Sequence, residues 1–251
     1  MRSTYPAAQD IVAVSHGAAQ ALAPVLGKTT SKRITVIYNP IDLARIEGMA
    51  VADEKTVSWT EPTIINVGRL IEQKDQQSLI QAFAKVRSRR TCRLVILGEG
   101  EKRATLAALA QKLGVGSDVL IPGFVANPYS WMRRSAVFVL SSKFEGLPTV
   151  LIEAMQCGIP VISADCPSGP AEILEDGRWG RLFPPGDVDA LASAIEDALD
   201  GKLVADVRRR AADFSVETAV SRYMALFPDN GDHNGRRTVK ARSPEYAHQG
   251  R

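Results

Sequence analysis

Two short segments of the sequence carry residue types suited to a phosphorylated polyol. The first is Gly68-Arg69-Leu70, followed by Lys74. Its glycine lets a ligand approach the backbone, and two cations five residues apart bracket the start of a helical pattern near Asp75, which suits a diphosphate. The same spacing also describes a tight turn with two solvated cations. The second is Phe144-Glu145-Gly146-Leu147-Pro148-Thr149, which leads into a helical pattern carrying Glu153. Unpaired amides of Gly146, Leu147 and Thr149 at a helix start attract anions. Glu145 and Glu153 can then accept hydrogen bonds from separate hydroxyl groups of one ligand. The plain alternative makes Glu145 a dipole-favoured acid and Glu153 a surface charge.

Other templates fit less well. Gly98-Glu99-Gly100 imitates the first two glycines of a dinucleotide fingerprint, and Asp118 follows at a suitable distance. Arg103 stands where the third glycine would permit close packing of helix on strand, so the loop reads as a turn lining a cleft. The histidines are His16, His233 and His248, with neither HExxH nor GxSxG, so metal-hydrolase and serine-hydrolase templates find no match. His16, in Val14-Ser15-His16-Gly17, reads as a cap or loop residue rather than a base. Ser168-Gly169-Pro170-Ala171-Glu172 reads as a turn and helix start near the same cleft, with Pro170 at a first helical position, and either lines the ligand site or serves the fold.

These loops need a scaffold, and the apolar pattern supplies one. Short β-branched runs at Ile11 to Val14, Ile34 to Ile37, Thr63 to Val67, Leu94 to Leu97, Val119 to Ile121, Val137 to Leu140 and Val161 to Ser163 read as buried parallel strands. Amphipathic helices are predicted at Asp75 to Arg87, Glu101 to Leu113 (Leu106, Leu109 and Leu113 on one stripe, Gly114 at its close), Thr149 to Cys157 and Asp187 to Leu199. The alternation implies a doubly wound α/β sheet, in which ligands bind beyond the carboxyl ends of the strands. A last helix is predicted at Ser215 to Phe227, capped by Ser215, with Val216, Val220, Tyr223 and Phe227 facing inward. Asp229 to Arg251, rich in Gly, Asn, Arg and Pro without periodicity, reads as a disordered tail whose Arg236, Arg237, Lys240 and Arg242 are solvated or touch anionic lipid.

Composition narrows the class. The 251 residues are 45% apolar and 24% charged, as in a soluble globular protein of one or two domains. A net charge of +3 is too slight and too dispersed to imply a nucleic-acid partner. Cys92, Cys157 and Cys166 have no CxxC spacing, which fits a reducing compartment and excludes a four-thiolate zinc site. No run is long and apolar enough to span a membrane, and no signal peptide is recognisable, so a cytoplasmic location is expected.

Taken jointly, Gly68-Arg69-Leu70 with Lys74, and Glu145-Gly146-Leu147-Pro148 with Glu153, resemble the C-terminal domain of the retaining glycosyltransferases of family 4, in which a pair of glutamates eight apart is a signature. Asn39-Pro40-Ile41-Asp42, Gly98-Glu99-Gly100, Pro122-Gly123-Phe124-Val125 and Cys166-Pro167-Ser168-Gly169-Pro170 add to the resemblance, which covers residues 10 to 227. It implies the Rossmann-like C-terminal half of a two-domain GT-B fold, binding a nucleotide diphosphate sugar as substrate without a metal. Arg69 and Lys74 would hold and stabilise the diphosphate, and Glu145 the hydroxyls of the donor sugar. Glu153 would hold the ribose, the Gly146-Leu147-Pro148-Thr149 segment the phosphate or sugar oxygens, and Gly68 would let the donor approach. Gly123, Phe124 and Val125 would lie near the base.

The resemblance also implies a partition: residues 1–30 as the remnant of an acceptor domain, 31–227 as the donor domain, 228–251 as a tail. A full member has two domains of similar size, so three expectations stand: a partner chain supplies the acceptor half, the gene or its start site is truncated, or this is a non-catalytic nucleotide-sugar-binding fragment or subunit. An exposed apolar face is expected where that half would dock. A cell-surface or lipid-linked glycan is the implied acceptor, with peripheral contact at the inner membrane face permitted.

Overall fold

A computed structural model describes residues 8, 10–26, 33–52 and 60–227. Its strands in chain order are β1 (Ile11–Ala13), β2 (Ile34–Val36), β3 (Thr63–Val67), β4 (Arg93–Leu97), β5 (Val119–Gly123), β6 (Val137–Leu140), β7 (Val161–Ala164) and β8 (Arg181–Phe183). The last six form one all-parallel sheet in the order β5-β4-β3-β6-β7-β8. The chain enters at β3, builds outward to β5, then crosses back to β6 beside β3 and builds to β8. That reversal opens a crevice at the carboxyl ends of β3 and β6. The expected doubly wound α/β sheet is therefore present.

Helices cover both faces, which is why β6 and β7 are buried along their whole length and β6 reads as an unbroken apolar run. On one face α3 (Gln76–Arg87), α4 (Arg103–Lys112) and α8 (Val188–Leu199) pack over Ile64, Leu94, Val137, Val139 and Ile162. On the other, α2 (Leu43–Ala52), α5 (Pro128–Arg133), α6 (Thr149–Gln156), α7 (Pro170–Leu174) and α9 (Val207–Ala211) pack over Ile65, Val95, Phe138, Leu140 and Val161. Helix ends follow local rules. Asp187 accepts from the Ala190 amide at 2.9 Å, Ser215 from that of Thr218 at 3.2 Å, and Gly114 closes α4 at φ +73°.

Several expectations need correction. Strand β2 pairs with β1, Ile11 opposite Ile34, in a separate two-stranded parallel sheet, not in the large one. The pattern does not anticipate β8, three residues between Gly180 and Pro184, nor α2, α5 and α9. Leu113 lies beyond the end of α4 and is exposed. The last helix, α10 (Val216–Met224), buries Ala219 alone, and its expected inward stripe is open to solvent: Val220 is 52% and Phe227 70% exposed, with Val216 and Tyr223 also exposed. An apolar stripe predicts a face without supplying the surface that covers it. Residues 228–251, expected to form a disordered tail, lie outside the described residues, as do 1–7, 9 and 27–32 of the expected N-terminal remnant and boundary.

Candidate functional site

The loops after β3, β4 and β5 are laced by backbone bonds. Gly68 N donates to Leu97 O (2.9 Å), Leu70 N to Glu99 O (2.8 Å), Lys102 N to Leu70 O (3.0 Å) and Gly98 N to Gly123 O (2.9 Å). Gly98 has φ +138°, and a Cβ there would lie 2.0 Å from Gly68 O. Only glycine permits that approach. The Gly98-Glu99-Gly100 loop thus buttresses the Gly68-Arg69 loop, and Asp118 is occupied by an ion pair with Arg87 at 3.1 Å.

At the crevice between β3 and β6, a 3₁₀ turn (Glu72–Lys74) carries Lys74 to the loop after β6. Lys74 Nζ donates to Glu145 Oε1 at 2.6 Å, and Ser142 Oγ donates to the same oxygen at 2.6 Å. The turn is stitched in place: Lys143 N donates to Gln73 O (2.8 Å), Gln73 Nε2 to Phe144 O (2.8 Å) and Ser141 Oγ to Lys74 O (2.8 Å). On its outer side Glu72 accepts from Lys143 and pairs with Lys102 at 2.9 Å, and these cations pull its carboxyl down to about 2. Asp75 is not a conventional cap. It sits at φ +47°, accepting from Ser78 Oγ at 2.8 Å, and α3 starts at Gln76.

A buried polar chain sets the Arg69 backbone. Gln76 Nε2 donates to Arg69 O at 3.0 Å, and Asn66 Nδ2 to Val139 O at 2.8 Å, tying β3 to β6. Both side chains are buried and hydrogen-bonded, as the cost of an unmet polar group demands. Sequence reasoning missed them together with Ser141 and Ser142. The available signal was a polar residue inside an apolar run, Asn66 in Thr63-Ile64-Ile65-Asn66-Val67.

Arg69 is exposed and makes no ion pair among the described residues. The amides of Gly146, Leu147 and Thr149 likewise have no hydrogen-bond partner there, so the start of α6 presents free donors beside Lys74 and Glu145. Pro148 occupies the cap position without a side-chain cap. Glu153 is one turn inside α6, where burial raises its pKa, partly offset by a hydrogen bond with Thr149. No hydrogen bond or ion pair joins it to Glu145. A cleft of about 490 Å³ runs from Gly68 and Arg69 past Gly98 and Glu99 to Phe124 and Val125, whose Phe124 ring is 78% exposed. Gly123 does not line this cleft; its carbonyl accepts the Gly98 amide and it packs against Glu99 and Arg103. The crevice therefore gathers two cations, a carboxylate and open amides, with an apolar-walled cleft alongside. Such a set can bind a diphosphate and the hydroxyls attached to it. His16 lies elsewhere, opening α1 (His16–Leu26), where its backbone amide binds Glu172.

Among the described residues no group of three or more His, Cys, Asp and Glu is placed to hold a metal ion, and no helix is long and apolar enough to cross a membrane.

A family model described as glycosyl transferases group 1 matches residues 52–214. The N-acetylgalactosamine-N,N'-diacetylbacillosaminyl-diphospho-undecaprenol 4-alpha-N-acetylgalactosaminyltransferase of Campylobacter jejuni is 34% identical over 169 residues, covering 67% of this chain and 45% of that protein. An uncharacterized glycosyltransferase of Methanocaldococcus jannaschii is 45% identical over 196 residues, covering 64% and 48%. Anabaena HepE in complex with UDP has the same fold at a TM-score of 0.78 and 24% identity, over 88% of this chain and 64% of that one. The lipopolysaccharide outer core galactosyltransferase WaaB in its apo form matches at 0.70 and 25%, over 88% and 62%. The chain spans about half the length of these two curated relatives.

Proposed function

The chain belongs to the group 1 glycosyl transferases, and from that premise we propose that it is the donor-binding C-terminal half of a retaining family 4 enzyme of GT-B fold. The observation that carries the reading is the crevice itself: Lys74 against Glu145 at 2.6 Å, with an exposed Arg69 and the open amides of Gly146, Leu147 and Thr149 around them. Within the crevice Lys74 and Glu145 satisfy each other. An incoming nucleotide diphosphate sugar would draw Lys74 and Arg69 to its phosphates and leave Glu145 to its sugar hydroxyls. Both cations would then stabilise the departing diphosphate electrostatically, the part a metal plays in other transferases, so no metal is required. Gly68 leaves room for the phosphates, and Pro148 fixes the turn into α6. Phe124 and Val125 would face the base across the cleft, and Glu153 the ribose.

Residues 31–227 are the proposed donor domain. Transfer itself would need an acceptor-binding half seated on the apolar face of α1 and α10, and the names of the relatives favour a lipid-linked or cell-surface glycan as acceptor. The test is calorimetric titration of the chain, without metal, with uridine, guanosine and adenosine diphosphates and their sugar conjugates. One diphosphate should bind selectively, and Arg69→Ala should weaken it and, in an enzyme with its acceptor half, lower turnover roughly 10²-fold. Unchanged donor binding in that variant would overturn the role of Arg69. A folded chain that binds no nucleotide would overturn the donor site.

A further inference from the structure

The donor crevice leaves one half-buried carboxylate without a task. Glu172, in α7, receives the His16 backbone N–H on both of its oxygens, at 2.9 Å each. It also shares a hydrogen bond with the Tyr38 hydroxyl, whose pKa burial and this bond push up to about 12. His16 opens α1 and Tyr38 follows β2, so one side chain holds both arms of the small two-stranded sheet. Glu172 is itself immobilised from behind. The buried Arg210 donates through Nη2 to Glu172 O and through Nε to Ile173 O, both at 2.9 Å, while its Nη1 pairs with Asp213 at 2.7 Å.

Packing continues this hold toward the crevice. A Cβ on Gly17 would lie 2.5 Å from Ser168 Oγ and 2.9 Å from Ser168 Cα, so the first turn of α1 rests directly on that residue. Ser168 sits at φ +68°, a conformation that costs a residue with a Cβ and persists where the surroundings impose it, and Gly169 follows at φ +90°, which glycine adopts freely. A Cβ on Gly169 would in turn lie 2.6 Å from Pro148 Cδ and 2.9 Å from Gly146 O. Between α1 and the loop ahead of α6 there is thus one layer of contacts and no slack, and close-packed interiors transmit displacement rather than absorb it.

We propose that Glu172 is a positioning residue: it clamps the β1–α1–β2 unit to the Ser168-Gly169 turn, so that the position of α1 sets that of the Gly146-Leu147-Pro148-Thr149 loop. That the loop receives the donor rests on the function proposed above. The coupling does not, because it can be read in the unliganded chain. A movement of α1, such as docking of an acceptor half would produce, would then reach the donor site by way of Glu172 and Gly169.

The test is a set of variants of the full chain followed by amide resonances and by nucleoside diphosphate titration. Gly17→Ala should shift the resonances of Ser168 and Gly169 and, beyond them, of Gly146, Leu147 and Thr149. Gln20→Ala, on an exposed position of the same helix, should leave that loop unmoved. Glu172→Ala should repeat the Gly17→Ala pattern, and Glu172→Gln, which keeps an acceptor for the His16 amide, should restore most of the native spectrum. Where the wild type binds a diphosphate, Gly17→Ala and Glu172→Ala should weaken it roughly 3- to 30-fold, the usual reach of such coupling. Shifts that stop at Gly169 in both variants, with the Gly146 to Thr149 resonances native, would overturn the proposal. A wild type that binds no diphosphate would sink the donor reading while the resonances still decide the coupling.

Discussion

Helices α8 and α10 have similar apolar patterns and opposite fates. Along α8, Leu191 and Ile195 are wholly buried against the large sheet, with Ala192, Ala194 and Ala198 beside them. Along α10, Val216, Val220, Tyr223 and Met224 are open to solvent and Ala219 alone is buried. The difference lies in what stands opposite. Beneath α8 lie β6 and β8 of the six-stranded sheet, with α3 packed alongside, whereas α10 meets Tyr38 beyond the end of β2, and α1, which buries no residue at all, accompanies a sheet of two short strands. Periodicity specifies an apolar face in both. Only a neighbouring layer makes such a face a core.

The largest effect should come from hollowing the covered helix. Ile195→Ala should cost about 2–5 kcal/mol, from lost burial and the cavity left behind, read as a fall in the urea midpoint at unchanged slope. Val220→Ala should stay within about 0.5 kcal/mol on the same measurement. A loss of several kcal/mol at Val220 would show that α10 is covered after all, and the comparison would collapse.

Glycines give the next contrast. Gly98→Ala forces a side chain into φ +138° and against Gly68 O, so a loss of about 1–3 kcal/mol is expected, with the Gly68-Arg69 loop displaced and diphosphate binding weakened. Gly48→Ala, in α2 with nothing within 4 Å of the new methyl, should instead stabilise by about 0.4–1 kcal/mol.

A smaller energetic effect with a visible consequence concerns association. Exposed apolar faces favour self-contact, so the wild-type chain should show concentration-dependent association in sedimentation equilibrium. Val220→Ser combined with Phe227→Ser should reduce it without moving the urea midpoint. A wild type that stays monomeric at high concentration would count against an interface on this face.

An electrostatic effect, confined to alkaline pH, belongs to the core. Burial raises the thiol pKa of Cys157 to about 12 and of Cys166 to about 11, and raises that of Cys92. Unfolded thiols ionise near 9 while these remain protonated, so the unfolded state binds fewer protons above that pH. Stability should therefore be unaffected by the thiols below pH 9 and decline as pH rises from there towards 11 or 12. A denaturation midpoint that rises over the lower part of that window would contradict the sign.

Much of this arrangement is legible without coordinates. Five of the seven β-branched runs are strands of the large sheet, and Ser215, Gly114 and Pro170 occupy the terminal positions their chemistry suits. The candidate site was legible as residue types: cations after β3, carboxylates around the start of α6, glycines where loops must approach. The supporting residues were not. Gln76, Ser141, Ser142 and Glu172 are ordinary polar residues in the chain, and what distinguishes them is the atom each meets, Arg69 O, Lys74 O, Glu145 Oε1 and the His16 amide. Glu172 is 156 residues from His16, and no periodicity links residues so far apart.

The sequence by itself determined the local matters: which runs must be covered on both faces, where the backbone has to turn, and which loops carry charge suited to a phosphorylated ligand. Those follow from side-chain shape, polarity and torsional preference, which act over a few residues. Tertiary structure decided the pairings. Lys74 reaches Glu145, 71 positions away, because the sheet order places β6 beside β3. Strand β2 left the large sheet for β1, and the stripe of α10 found no cover, because a strand edge or an apolar face takes its partner from the layers that surround it.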